Sequence, residues 1–175
     1  MKEPLMLQIK ILKMNEYAII PQKGSSHAVG FDIHCNFYEL AQQDFAKETR
    51  SLPFQDYLDK YSVTIKSQSG ALLPTGLIFE MPHHIEMDIK SRSGFFSKHG
   101  ILAQGTIDPD YRGQVKIMLF NLSQKDFTIT HKERVAQAVF RSIYNDDNIF
   151  LSVKSIQEMT QTERQSGGFG STGIL

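Results

Sequence analysis

Ile85-Glu86-Met87-Asp88-Ile89-Lys90-Ser91-Arg92-Ser93-Gly94 is the stretch on which the fold turns. Its apolar part, Ile85–Ile89, is brief. Met81-Pro82-His83-His84 precedes it, and small hydroxyl residues, cations and a glycine follow. A short apolar run closed by turn residues reads as a strand. The pattern recurs at Leu7–Leu12, Phe31–Phe37, Leu77–Met81, Val115–Asn121, Phe127–Thr130, Val135–Ile143 and Leu151–Ile156. In the first of these, Leu7, Ile9 and Ile11 alternate with Gln8 and Lys10. Many short strands at this spacing predict an all-β sandwich or barrel. No internal repeat or heptad interrupts them.

The chain has 175 residues, enough for one domain with a substantial core. Lys+Arg and Asp+Glu balance at 19 each, which disfavours direct, non-specific nucleic-acid binding. Any bound phosphate must therefore meet local positive charge or a metal. The single cysteine, Cys35, excludes an intrachain disulfide and fits a reducing compartment. No apolar run is long enough to span a membrane. Met1–Lys13 lacks a signal-peptide plan.

From about Leu40 to Tyr61 the composition turns to Gln, Asp, Glu, Lys, Ala and Leu. Ser51 can cap a helix, Pro53 suits a first turn, and Phe54, Tyr57, Leu58 and Tyr61 fall at helical spacing. This predicts a short amphipathic helix, with room for another before it, in an insertion spanning about 37–72. Its apolar stripe serves packing on the plain reading and a protein partner on the sharper one.

Chemistry-bearing residues gather in five segments. Ala28-Val29-Gly30-Phe31-Asp32-Ile33 sets an acid among apolar residues, and such an acid needs a donor, an arginine or a hydrated cation. Lys90–Lys98 offers hydroxyls, a glycine and cations directly after a strand, which suits an anion. The same stretch also reads as a solvated basic loop, or as a helix start carrying Phe95 and Phe96 into the core. Gly105-Thr106-Ile107-Asp108-Pro109-Asp110-Tyr111-Arg112-Gly113 crowds two carboxylates, a ring and a cation into a turn. A fixed carboxylate there can take a proton from water; Pro109-Asp110 is also ordinary turn punctuation. In Glu133-Arg134-Val135-Ala136-Gln137 a charge pair precedes a strand, where Arg134 reads as a salt bridge. Last comes Arg164-Gln165-Ser166-Gly167-Gly168-Phe169-Gly170-Ser171-Thr172-Gly173. Glycines, hydroxyls and a guanidinium around one ring describe a clamp for a phosphorylated ring compound. A Gly/Ser tail without fixed structure is the plainer reading of that composition.

In this order, the five segments closely resemble the five signature motifs of the trimeric dUTP pyrophosphatases (dUTPases). Pro74-Thr75-Gly76 and Met81-Pro82 match the strand pattern before the second motif. The resemblance covers nearly the whole chain outside about 37–72. It implies a distorted jelly-roll in residues 1–163, a Gly-rich arm at 164–175 that closes the site, and a homotrimer with shared sites. The implied reaction is dUTP plus water to dUMP and pyrophosphate with Mg²⁺, limiting uracil in DNA and supplying dUMP for dTTP synthesis. The implied compartment is the cytoplasm, with the nucleus as the alternative in a eukaryote.

The resemblance also implies roles. Asp108 would be the general base, and Tyr111 would pack under the deoxyribose. Ser93 would donate toward the oxygen between the α and β phosphates, while Arg92 and Gln137 hold phosphates. Gly94, Gly105 and Ile107 would line the substrate site. Asp32 would hold Mg²⁺ through water, Phe169 would stack on uracil, and Arg164, Gly170, Ser171 and Thr172 would close on the γ end. Uracil would be read by backbone groups of about Gly100–Gly105.

Some positions depart from the pattern. Leu102-Ala103-Gln104 stands where an asparagine is common, Lys132 where a glycine is common, and Gln165 where a glycine follows the tail arginine. The related dCTP deaminases need a glutamate on the strand after the turn. Gln114–Phe120 has no acid, and Gly94 follows Ser93 where the deaminases tend to have a second serine. A nucleotide-gated binding protein acting through the insertion is the other alternative.

Overall fold

The computed structural model describes residues 8–47, 53–144 and 152–162. The chain divides into two units, residues 1–144 and 145–175. Within the first, the elements run β1 (Lys10–Lys13), β2 (Gln22–Lys23), β3 (Phe31–His34), α1 (Tyr38–Phe45), α2 (Phe54–Lys60), β4 (Ser62–Ile65), β5 (Gly70–Pro74) and β6 (Leu77–Glu80). They continue with β7 (Ile85–Lys90), α3 (Ser93–His99), β8 (Ile101–Ile107), β9 (Lys116–Asn121), β10 (Phe127–Thr130) and β11 (Arg134–Ser142).

Seven strands form one sheet in the order β2-β3-β11-β7-β8-β9-β5, every pair antiparallel. β1 pairs with β6, and β10 with β4. Successive side chains of a strand face opposite sides. On β7 this sends Ile85, Met87 and Ile89 into the core. On β9 it sends Ile117 and Leu119 inward and leaves Met118 and Phe120 outside. Each fully buried aliphatic side chain contributes roughly 1.5–3 kcal/mol of transfer free energy, so the core side of the sheet holds the fold together.

The opposite face carries the chemistry. The register aligns Gln22, Asp32, Gln137, Lys90, Gln104, Met118 and Leu72 in one row across all seven strands. The row is polar toward β3 and apolar toward β5. Beside it, buried Asp88 holds Lys90 and Arg141, each at 2.8 Å.

Several expectations need correction. The range 37–72 holds two helices and then β4 and β5, which join the β-structure. Pro53 is the residue that caps α2, and Ser51 lies outside the described residues. Phe95 enters the core, but Phe96 stays 53% exposed, because adjacent helical residues point about 100° apart. Within the second unit, Ser152–Ser155 are not a strand, and Ile156–Glu158 form a single 3₁₀ turn. Among the described residues no strand pairs with this segment, and an unpaired run has little to make it extended.

The helices are fastened to the β-structure by rings and by one turn. Tyr17 stacks on Tyr38 at 5.0 Å, Tyr38 meets Phe54, and Phe45 meets both Phe54 and Tyr57. Phe37 N–H donates to His131 Nδ1 at 3.0 Å, and His131 N–H donates to the Tyr61 carbonyl at 2.8 Å. Burial pushes the His131 imidazole down to about 4. The next residue, Lys132, has φ +65° and reaches Asp59 of α2 at 3.4 Å.

Candidate functional site

Asp32 on β3 is the centre of the first half of the site. It is buried, and its oxygens are satisfied from one strand, β11, and from the loop after β7. Arg134 Nη1 donates to Oδ2 at 3.0 Å, and Gln137 Nε2 donates to Oδ1 at 3.1 Å. Arg92 Nε approaches Oδ1 at 3.5 Å, while its Nη1 donates to the Arg134 carbonyl at 3.1 Å. Three residues separate Arg134 from Gln137, which in a regular strand places them on opposite faces. The β3–β11 register slips between Arg134 and Ala136, so Val135 is an extra residue. That bulge reverses the phase and turns both side chains toward Asp32. Gly30 completes the arrangement, because a Cβ there would lie 3.0 Å from the Gln137 Cβ.

Ser93 follows Arg92 and opens α3, where the N–H groups of a first helical turn have no intrahelical acceptor. Ser93 also lines a cleft of about 700 Å³ with Lys90, Ser91, Phe96, Leu102 and Gln104. The electrostatics of this half favour an anion: two guanidiniums surround one carboxylate.

The second half lies where β8 and β9 part. Their ladder runs from Ile101–Asn121 to Gln104–Met118 and stops. Leu122 N–H donates to the Gly100 carbonyl, which fixes the phase: residues 102, 104 and 106 turn their N–H and C=O toward β9. Thr75 N–H donates to the Val115 carbonyl, so Lys116 turns its own toward β8. Thr106 and Lys116 therefore face one another beyond the end of the ladder, across a cleft of about 350 Å³. Asp108, Tyr111, Ile107, Gln114, Leu72 and Met118 line it as well. Gln104 is spent in the ladder with β9, and Gly105 and Ile107 pair with β7, so the backbone left open beyond the ladder is that of Thr106.

The turn is internally braced. Tyr111 N–H donates to the Asp108 carbonyl, and Arg112 Nη1 donates to the carbonyls of Pro109 and Tyr111. Tyr111 Oη donates to the Gln114 carbonyl at 3.1 Å, which holds the tip of the ring against Gly113.

One chain does not bring the two halves together. Met87 pairs with Ile107 and Lys90 with Gln104, so β7 and β8 run antiparallel. Asp108 follows one end of this ribbon, and Arg92 and Ser93 follow the other. Four residue steps of strand, Glu86 to Lys90, span roughly 13 Å, with Arg92 two residues beyond.

The dUTPase family model matches residues 56–173. The chain belongs to the dUTPase family. A deoxyuridine 5′-triphosphate nucleotidohydrolase of Nautilia profundicola is 37% identical over 170 residues, 95% of this chain and 99% of that relative. One of Candida glabrata is 34% identical over 94% of this chain and 96% of its own length. The dUTPase of Staphylococcus bacteriophage 80alpha, solved with dUPNHPP, superposes with a TM-score of 0.72 at 19% identity, covering 95% of this chain and 99% of its own. The dUTPase of phage phi11 of S. aureus, described as showing a species-specific insert, gives 0.65 at 17% identity over 87% and 99%. These neighbours establish the all-β dUTPase fold.

Of the expected dUTPase residues, Asp32, Arg92 and Gln137 meet in one cluster, Ser93 adjoins it, and Asp108, Ile107 and Tyr111 meet in the other cleft. Gly94 lies on α3 and Gly105 on β8. Arg164, Phe169, Gly170, Ser171 and Thr172 lie outside the described residues. The salt bridge expected of Arg134 is present, and its partner is Asp32, while Leu72, Lys116 and Met118 are cleft residues that the sequence does not single out. Only the register between β5, β8 and β9 shows that these share a face. Among the described residues, no helix is long and apolar enough to cross a membrane.

Proposed function

We propose that the chain hydrolyses dUTP to dUMP and pyrophosphate at a site completed between subunits of a homotrimer. The observation that carries this reading is the parting of β8 and β9 beyond Gln104–Met118, beside Asp108 and Tyr111. There the Thr106 backbone offers a donor and an acceptor side by side, the pattern a uracil edge requires. Cytosine presents a donor in place of one acceptor and leaves a buried group unpaired. Tyr111 packs under the sugar and leaves no space for a 2′-hydroxyl.

Asp108 accepts a proton from the water that attacks the α-phosphorus. A new P–O bond forms as the bond to the bridging oxygen breaks, and pyrophosphate leaves. Ser93 donates to that bridging oxygen as its charge grows, a contact stronger in the transition state than in the ground state. Arg92 and Gln137 bind phosphate oxygens with Arg134 beside them. Because Ser93 and Asp108 stand at opposite ends of the β7–β8 ribbon, another subunit supplies the missing half, and heterologous contacts close such a ring. Residues 164–175 supply the closing arm, with the Phe169 ring on uracil.

The residues also fit Mg²⁺. Among the described residues, no group of three or more His, Cys, Asp or Glu forms a cage for a bare cation. Among the described residues, Asp32 Oδ2 accepts a hydrogen bond from Arg134, which leaves lone-pair capacity for a metal-bound water. A single carboxylate beside substrate phosphates is the kind of set that hydrated Mg²⁺ uses. When bound, the ion would neutralise triphosphate charge.

Pyrophosphate release with Mg²⁺ across dUTP, dTTP, dCTP and UTP tests this reading. The expected result is turnover of dUTP with the others at least tenfold slower. Ammonia release from dCTP, or equal turnover of all four, overturns it.

A second reading, a nucleotide-gated contact surface on the helical insertion, draws on the anchoring of α2 to the turn two residues before Arg134. Substitution of outward Gln55, Asp56 and Lys60 would abolish such a contact without touching hydrolysis.

A further inference from the structure

Gly113 is easily passed over as turn punctuation, yet its conformation does not call for glycine. The glycines with positive φ among the described residues are Gly76, Gly100 and Gly105. Gly113 has no such φ, so an alanine could adopt its backbone. What an alanine could not share is the space. A Cβ built at Gly113 would collide with the Tyr111 hydroxyl and lie 2.5 Å from Cζ and 3.0 Å from Cε2 of the ring. The three nearest atoms all belong to that one side chain.

We infer that Gly113 is a positioning residue for sugar selection: its missing side chain is the seat on which the tip of the Tyr111 ring rests. The inference rests on the reading of Tyr111 as the deoxyribose platform. Two features fix the ring in this pose. Its hydroxyl donates to the Gln114 carbonyl, one residue beyond Gly113. The Gln114 side chain is itself held, with Nε2 3.0 Å from Met14 Sδ at the end of β1. The tip of the ring is thus held between the Gly113 backbone and the Gln114 carbonyl, and Tyr111 lines the cleft with Asp108 and Ile107.

A Cβ at 113 must lift the ring. The lift is cheap for the fold, because Tyr111 is 44% exposed and can swing outward on χ1. It is expensive for recognition, because the hydroxyl then leaves Gln114 and the platform no longer has one height. Selection against a 2′-hydroxyl depends on a distance of about one oxygen atom, so a mobile platform loses it before it loses dUTP binding.

The experiment is a double-mutant cycle on Gly113→Ala and Tyr111→Ala, read as the ratio of kcat/KM for dUTP to that for UTP, with Tm measured alongside. Gly113→Ala is expected to lower the ratio about tenfold or more with Tm nearly unchanged. In the Tyr111→Ala background, Gly113→Ala should change the ratio no further, since no ring remains to be seated. An unchanged ratio in Gly113→Ala overturns the inference. So does an equal drop in both backgrounds, which would mark a general disturbance of the turn. If Tyr111→Ala alone leaves the ratio at the wild-type value, the platform reading itself falls, and the inference falls with it.

Discussion

Arg134 and Gln137 hold opposite oxygens of one carboxylate, Asp32, although they sit three residues apart on a single strand. The bulge at Val135 makes this possible. It turns the first residues of β11, an interior strand, into a cradle in which Arg134 and Gln137 meet Asp32 from the same side as Arg92. On the proposed function, phosphate affinity would depend on Asp32 twice, through the metal it would hold and through the arginines it keeps in place.

Asp32→Ala is therefore expected to raise the KM for dUTP at least tenfold and to move half-maximal activity to higher Mg²⁺. Loss of the charged hydrogen bonds should cost about 1–3 kcal/mol of stability. Pyrophosphate release across a Mg²⁺ titration and a thermal melt measure both. An unchanged Mg²⁺ profile would remove Asp32 from the metal's surroundings.

Asp108→Asn keeps the shape of the turn and removes the base. Turnover should fall about 10²-fold or more. Binding of a non-hydrolysable dUTP analogue, followed by calorimetry, should stay within a few-fold of wild type. A variant that still turns over at the wild-type rate would deny Asp108 its role.

Opposite placement of Ser93 and Asp108 on the β7–β8 ribbon makes a mixing test decisive. Ser93→Ala and Asp108→Asn proteins should each be nearly inactive. Co-refolded at equal ratio, they should regain about a quarter of the wild-type sites, because a site built from two subunits draws one intact half from each. A mixture as inactive as its parents would mean that both groups act within one chain.

The pH dependence of stability should reveal His131. Its imidazole titrates near its ordinary 6.5 in the unfolded chain and at about 4 in the native state, held down first by burial and then by Lys132. Between those values the unfolded chain takes a proton that the native chain refuses. Stability therefore falls as pH drops from about 6.5 to 4, by up to about 3 kcal/mol from this group, and is flat in it above that window. Burial lowers His34 in the same direction. Urea denaturation at stepped pH should show the slope, and His131→Gln, which keeps an acceptor for the Phe37 N–H, should flatten much of it. An identical slope in the variant would acquit His131.

Much of the fold is legible in the sequence. Ile85–Ile89, Phe127–Thr130 and Val115–Asn121 are strands because apolar alternation and turn residues coincide there. Phe54, Tyr57, Leu58 and Tyr61 mark α2 through their spacing. Asp32, Ser93 and Asp108 stand out through the resemblance of their segments to the dUTPase motifs. Illegible were the features that depend on pairing. Nothing local marks Val135 as a bulge, and nothing in Leu72, Lys116 or Met118 announces a shared cleft. Ser62–Ile65 was absorbed into a helical insertion because its strand character comes from β10 across the ladder. Ser152–Ser155 erred the other way, since apolar residues were read as extended without a partner.

Lys132 has a consequence for how the insertion can be interrogated. A side chain in the left-handed region costs roughly 1–3 kcal/mol unless its surroundings fix it, and here those surroundings are α2 and the ring of Tyr17. The helical segment is therefore a graft that has grown into its host: Asp59, the Tyr61 carbonyl and the Phe37 N–H all end on residues 131 and 132. Excising it would strand a buried histidine and slacken the turn that delivers Arg134, so a lost activity would say nothing about a partner. Single outward-facing changes on α2 are the cleaner incision.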